Sequence, residues 1–479
     1  MPTETSAQSL SVKRAEVEWH NFASFGQPER ALQVYAEENA RRGELIRGFR
    51  EFIGPVTPFL EIGAAAGHSS YMLVNEFDAP GFALDLSADA LRHGVHLMDA
   101  WKLQRAPVRV AGDAANLPFR DGSLKMVMAC QMLSQFLGME RVFEEVKRVL
   151  APGGIFLFAE EPLKRLLTLR LYRCPYYETM KPWERTLFDW GLLGYFVRDV
   201  IGAHQEESYG IRQNHTMGVK EWHEMISRHF DDRQYRIFVP ERGWGERIVK
   251  RLAMRLDSHR SEWRAAKLLG GTLAAACRKA GVPSDVPFDI GRFEDLLRCP
   301  DCHEGLRRDA EDVLLCSCGY RAGNEGGVYN LLPSAEKKEL YPGDSEDLID
   351  FCLPSHQQRL GEGWHELEGV FGNKYRWIGP RATAHLKRMR QGPLRIRIRG
   401  LAHEVSFGHG DQPRIEVKVN GGSVGQWTLD RTGLFLLEAD VPEAADYEVE
   451  VLAEPIWEVP EDSRRLTVVL SMLRLVPRE

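Results

Sequence analysis

Five small residues in a row, Gly63-Ala64-Ala65-Ala66-Gly67, follow the apolar run Phe59-Leu60-Glu61-Ile62. Small side chains at the start of a helix let backbone approach a nucleoside closely, and backbone N–H groups there favour polar ligand atoms. Two acids stand where such a ligand would need them. Asp85 closes the run Gly81-Phe-Ala-Leu-Asp85, about 20 residues on, where a carboxylate can accept both hydrogens of a ribose diol. Asp113, in Gly112-Asp113-Ala114, closes a third run, where it can accept from an adenine amino group. A second centre of chemistry is Cys299-Pro-Asp-Cys302 followed by Cys316-Ser-Cys318-Gly319. Paired thiolates on tight turns complete a tetrahedral zinc site and hold together a module too small to fold alone. The second pair is one residue short of C-x-x-C, and His303 is an alternative ligand. Free buried thiols are the plainer reading of the same residues.

These residues need particular elements to position them. The apolar runs Phe59–Ile62, Phe82–Leu84, Val108–Val110, Met126–Ala129 and Ile155–Ala159 are short and apolar throughout. That is the pattern of buried parallel strands joined by crossover helices. The clearest crossover is 139–150, with Val142, Phe143, Val146, Val149 and Leu150 in one stripe and Pro152-Gly153-Gly154 as its stop. Residues 28–53 read as a further helix among charges. From about 361 the pattern alternates at period two, as in Ile415-Glu-Val-Lys-Val419, and Asn420-Gly421 marks a hairpin. The expected architecture is therefore α/β with a Rossmann-like sheet, then a small zinc ribbon, then an all-β sandwich. The expected domains are 1–56, an N-terminal helical segment; 57–280, the α/β domain, with 163–230 as a helical insertion or lid; 296–333, the cysteine module; and 361–479, the sandwich. Residues 281–295 and 334–360 read as linkers.

The ordered motifs resemble the class I S-adenosyl-L-methionine (SAM) dependent methyltransferases, in particular the ubiquinone/menaquinone type. The correspondence runs through Glu61-Ile-Gly63-Ala-Ala65-Ala-Gly67, Asp85, Gly112-Asp-Ala-Ala-Asn-Leu-Pro-Phe-Arg-Asp-Gly-Ser123 and Val149-Leu-Ala-Pro-Gly-Gly154. It covers about 110 residues closely. The resemblance implies SAM as cofactor, held by Glu61, Gly63, Ala65, Gly67, Asp85, Leu86, Asp113, Ala114 and Gln131. The sequence departs from the family pattern at Ala65, in place of the middle glycine, and at Lys125, in place of an acid. A Rossmann-like domain that binds NAD, or that has lost its ligand, is the alternative. Methyl transfer requires in-line placement of the acceptor and exclusion of water, and an oxygen acceptor also needs a base. Candidates for the base are Glu160 and Glu161, after the fifth strand, and His215. An ordinary strand-end charge and an ordinary capping histidine are the competing readings.

Residues 296–333 resemble the zinc-ribbon family that includes the activator subunit of tRNA and release-factor methyltransferases, with Gly327-Val-Tyr-Asn-Leu-Leu-Pro333 as its closing segment. This implies a structural Zn2+ on Cys299, Cys302, Cys316 and Cys318 and a scaffolding role in cis. The last region is similar, more loosely, to accessory β-domains of surface-glycan enzymes, in which Trp364 and Trp377 would stack on sugars.

Composition narrows the partners. The net charge of −7 supplies no global basic field for nucleic acid, although 231–267 and 381–399 are locally basic. No run reaches the roughly 18 apolar residues of a membrane span, and the first residues have no signal-peptide core. Scattered and clustered cysteines without a disulfide framework fit a cytoplasmic protein. The expectation is a SAM-dependent methyltransferase acting on a glycan, glycan precursor or related small molecule. RNA methylation and a non-catalytic SAM-binding scaffold are the alternatives.

Overall fold

The apolar runs form adjacent parallel strands: β1 (Phe59–Ile62), β2 (Gly81–Asp85), β3 (Val108–Ala111), β4 (Leu124–Cys130) and β5 (Leu150–Leu163). Two strands beyond them, β6 (Asp232–Phe238) and β7 (Gly271–Arg278), extend the sheet antiparallel. This is a computed structural model, which describes residues 28–136, 138–164, 217–239, 270–369, 374–407, 412–430, 433–459 and 462–478, with isolated positions elsewhere. The lid expected over 163–230 falls largely outside the described residues, as does His215; so does most of the basic stretch 231–267 beyond β6.

Two units divide the chain, and the first comprises Met1–His20 and Glu29–Lys337. Its strand order is β3-β2-β1-β4-β5-β7-β6. Every residue of β1 and β2 is buried, as a sheet covered on both faces requires. The helix α6 (Met139–Val149) lays Val142, Phe143, Val146 and Val149 into that core beside Phe156 and Phe158. The cysteine module, expected to stand apart, belongs to this unit. It contributes β11 (Asn324–Glu325) and β12 (Val328–Asn330), after three short strands β8 (Arg307–Arg308), β9 (Leu314–Leu315) and β10 (Arg321–Ala322). Strand β12 pairs parallel with β3, so the module continues the central sheet at its edge. The 281–295 segment is likewise packed: Phe288 and Phe293 lie against Phe82, with ring centroids 5.8 and 6.3 Å away. Lys125, the departure from the family motif, donates to the Ser284 carbonyl at 2.6 Å and ties that segment down.

The second unit spans Asn21–Pro28 and Lys338–Glu479. Its strands include β13 (Leu348–Asp350), β14 (Trp364–Glu368), β15 (Tyr375–Ile378), β16 (Arg381–Lys387), β17 (Leu394–Ala402), β18 (Arg414–Val419), β19 (Gly422–Thr428), β20 (Gly433–Asp440), β21 (Asp446–Glu454) and β22 (Val469–Pro477), and Trp457–Val459 pairs with Asp462–Leu466 in a separate ribbon. Antiparallel sheets β14-β15-β22-β17-β20 and β16-β21-β18-β19 share one core, in which Ile396 and Ile398 meet Ile415, Val417 and Val449. Asn420 and Gly421 both take positive φ, 50° and 80°, and form the turn between β18 and β19. The boundary between the units falls within the 334–360 stretch read as a linker, and the stretch is structured. It folds into α8 (Ser334–Leu340), β13 and a 3-10 turn, because Leu340, Ile349 and Phe351 are apolar and buried among its charges. Trp377 is buried with Trp457, Leu466 and Val469, and Trp364 donates to the Thr383 carbonyl at 2.6 Å while packing on Phe351. Trp377 lies in a buried cluster and Trp364 is half-buried against the shared core. Among the described residues no helix is long and apolar enough to cross a membrane.

Candidate cofactor and metal sites

The turn after β1 is built by backbone conformations that favour glycine. Gly63 and Gly67 take φ of 67° and 79°. A Cβ on Gly63 would sit 2.8 Å from the Met132 side chain. Ala65 also takes positive φ, 49°, at a cost of about 1 kcal/mol for a residue with a Cβ. What holds it there is its amide, which donates to Asp85 Oδ2 at 2.7 Å. Asp85 Oδ1 accepts from the Ser87 amide at 2.8 Å. Asp85 thus shapes the loop from the end of β2. Leu86 follows it, half-buried. At the end of β3, Asp113 Oδ1 accepts from the Ala115 amide at 2.8 Å, and Ala114 is buried beside it. The strand-end acids expected to read a nucleoside therefore stand at the carboxyl ends of neighbouring strands, where open parallel sheets bind ligands. Glu61, near the end of β1, is buried and accepts from Ser70 Oγ at 2.5 Å, and burial pushes its carboxyl up.

On the other side of β1, Gln131 leaves β4 with φ of 57° and donates its amide to the Ala159 carbonyl at 3.0 Å. Glu160, at φ of 62°, is engaged by arginines: Arg42 Nη2 lies 3.0 Å from Oε2 and Arg41 Nε 3.2 Å from Oε1. Glu161 is fully buried and accepts the amides of Met132, Leu133 and Ser134 at 3.1, 2.9 and 3.0 Å. Burial pushes its carboxyl up to about 7 despite those donors. Both carboxylates are engaged in this arrangement.

Sequence reasoning missed the residues around Glu160. Helix α1 (Pro28–Gly48) presents Tyr35, Glu38, Asn39 and Arg42 to the first turn of α3 (His68–Glu76). Arg42 Nη1 reaches Ser69 Oγ at 2.8 Å and His68 Nε2 at 2.7 Å, Glu38 meets His68 Nε2 at 2.8 Å, and Tyr35 stacks on the His68 ring at 4.3 Å. Burial would lower the Arg42 guanidinium, but its anionic surroundings, Glu160 and Glu38 among them, push it up and keep it charged. The spacing 35, 38, 39, 42 is one helix face, which is the signal that was available.

The four module cysteines converge. Their Sγ atoms all lie within 4.8 Å of one another, with Cys299–Cys318 at 3.7 Å and Cys302–Cys316 at 3.4 Å. A tetrahedron with metal–sulfur bonds of about 2.3 Å needs sulfurs about 3.8 Å apart. The donor set fits such an ion, and the short second turn does not prevent it. His303 is no part of the cluster.

The sheet order, the glycine turn and the strand-end acids agree with the pattern of a class I SAM-dependent methyltransferase domain. Residues 60–158 match the family model described as a methyltransferase domain. Among curated proteins the chain is similar to malonyl-[acyl-carrier protein] O-methyltransferase of Methylococcus capsulatus, 31% identical over 128 residues, 26% of this chain and 46% of the relative. It is also similar to the enzyme of that name from Geobacter sulfurreducens, 29% identical over 113 residues, 23% of this chain and 40% of the relative. The chain thus spans less than half the length of these relatives. Haemonchus contortus phosphoethanolamine N-methyltransferase 2, solved with SAM, aligns at a TM-score of 0.32 and 18% identity, covering 56% of each chain. At that score the likeness carries no argument.

Proposed function

We propose that the chain transfers a methyl group from SAM to a glycan, glycan precursor or related small-molecule acceptor. The observation that carries the cofactor half is Asp85, which braces the positive-φ loop from the end of β2, the place where an acid would meet the ribose. Gly63, Ala65 and Gly67 would lie along the cofactor, with Asp113 and Ala114 at adenine and Gln131 at its methionine end. Bound SAM supplies an electrophilic methyl already activated by its sulfonium. The protein's part is to hold the acceptor in line with the methyl–sulfur bond and exclude water. The acceptor half rests on the second, all-β unit carried on the same chain and on the negative net charge. The relatives' names, with an acyl-carrier-protein O-methyltransferase among them, fit a non-nucleic-acid acceptor.

Glu160 is ion-paired and Glu161 accepts the amides of a turn, and an acceptor that is already nucleophilic suits this arrangement. The same observation supports a second reading, a SAM-binding scaffold that transfers nothing. The four thiolates would hold a structural Zn2+, and with no open position that ion would take no part in catalysis.

Calorimetric titration of SAM into wild type and Asp85→Ala tests the first half. Wild type should bind, and the variant should bind about a hundredfold more weakly, since it loses two hydrogen bonds to a charged group. Folded wild type that binds no SAM would remove the methyltransferase reading. Labelled SAM in cell extract, fractionated into glycan, small-molecule and RNA pools, separates the acceptor classes; label in none supports the scaffold.

A further inference from the structure

Asp113 is the acid placed to accept the adenine amino group, yet both of its oxygens have donors. Oδ1 takes the Ala115 amide. Oδ2 takes the ammonium of Lys13, at 2.8 Å, from a point 100 residues earlier in the chain. That ammonium also lies 2.6 Å from Glu336 Oε1, on α8, the helix that leaves the cysteine module. The arrangement is a built one. The Lys13 side chain is 15% exposed and that of Asp113 9%, and the neighbouring Arg14 and Val17 are buried. Burial alone would lower the Lys13 ammonium, but Asp113 and Glu336 push it up, so it stays charged at neutral pH. On the far side, Ser334 at the start of α8 donates its amide and hydroxyl to Asp301, at 2.9 and 2.6 Å, and Asp301 lies between Cys299 and Cys302. Glu336 is therefore fixed by the module, while Lys13 comes from the N-terminal segment.

We propose that Lys13 gates the adenine end of the cofactor site, occupying Asp113 Oδ2 in the free protein and giving it up to the adenine amino group when cofactor enters. Glu336 makes this exchange possible. A displaced ammonium left without a carboxylate would be buried and unpaired, which is costly. With Glu336 beside it, Lys13 passes from a bridging position to a single partner and stays neutralised. No covalent step is involved. The gate couples three parts of the first unit that are distant in sequence: the N-terminal segment, the end of β3 and the exit helix of the module.

This inference rests on the cofactor reading, and one set of measurements separates the two. S-adenosylhomocysteine is titrated into wild type, Lys13→Met, Lys13→Gln, Asp113→Asn and the Lys13→Met/Asp113→Asn double variant, each first checked for a cooperative thermal transition. Freeing Asp113 should tighten binding about fivefold in both Lys13 variants, a size typical of a partly exposed ion pair. In the Asp113→Asn background, Lys13→Met should change affinity little, because the competing pair is already gone. Raising ionic strength should shrink the gap between wild type and Lys13→Met. Equal or weaker binding by both folded Lys13 variants would overturn the gate, as would an undiminished gain in the double variant. Wild type that binds no S-adenosylhomocysteine would instead overturn the cofactor reading on which the gate stands.

Discussion

Polar residues do different work in the two units. In the first, Asp85, Asp113 and Gln131 sit at or just past the carboxyl ends of β2, β3 and β4, and Glu160 lies in β5 just beyond Ala159, its last residue paired with β4. In the second, they sit along strand faces and pair across the ladder. Arg395 on β17 meets Glu438 and Asp440 on β20 at 3.1 and 3.2 Å, and Arg381 on β16 meets Glu450 on β21 at 2.5 Å. A strand-end position gathers groups distant in sequence and can form a site. A face position finds a neighbour two or three residues away across one strand pair and stabilises only that pair.

Substitutions can break that comparison. The largest effect is expected at Arg42, whose removal would leave Glu38 and Glu160 without their buried cation. Arg42→Ala should lower unfolding free energy by about 3 kcal/mol in urea. A cost near that of a surface pair would mean that the strand-end network is no more than a ladder pair. Glu161 provides the next test, through pH. Its carboxyl is raised in the folded state from an ordinary 4.5 to about 7, so the native state binds the extra proton between those values. Its contribution is complete below about 4.5 and is lost as pH rises through 7. The slope cannot exceed about 1.4 kcal/mol per pH unit. Glu161→Gln should flatten wild-type urea midpoints over that window; identical profiles would show that the proton is not taken up there. The smallest effect is expected at Arg395, a third exposed, where Arg395→Ala should cost about 0.5 kcal/mol. A loss of several kcal/mol would erase the distinction between the two kinds of position.

The same contrast explains what could be read in advance. The loop Gly63–Gly67, Asp85 and Asp113 were legible because each site element is a short contiguous motif at the end of an apolar run. The sandwich strands were legible because one face is wet and the alternation shows it. The network around Arg42 was not, since it joins side chains from Glu38 to Glu160 and no single window contains it. Nor was the place of the module. Val328-Tyr-Asn330 is too short a run to declare itself a strand, and its pairing is fixed by β3 and by Leu331, which donates to the Ala111 carbonyl at 2.7 Å. The 334–360 stretch misled because its buried Ile349 and Phe351 are thinly spread among acids.

Strand β12 has one more consequence. It covers the outer edge of β3, and beyond it only the two residues of β11 remain at the rim. An uncovered edge of a parallel sheet is a template for any passing chain, and very short edge strands are one protection against that. The segment that follows the cysteine cluster therefore covers this edge against self-association. Because the guard is tethered, its local concentration is high and its absences are brief. Damage to the cysteines would then show first as molecules adhering to one another, before any loss of the sheet itself.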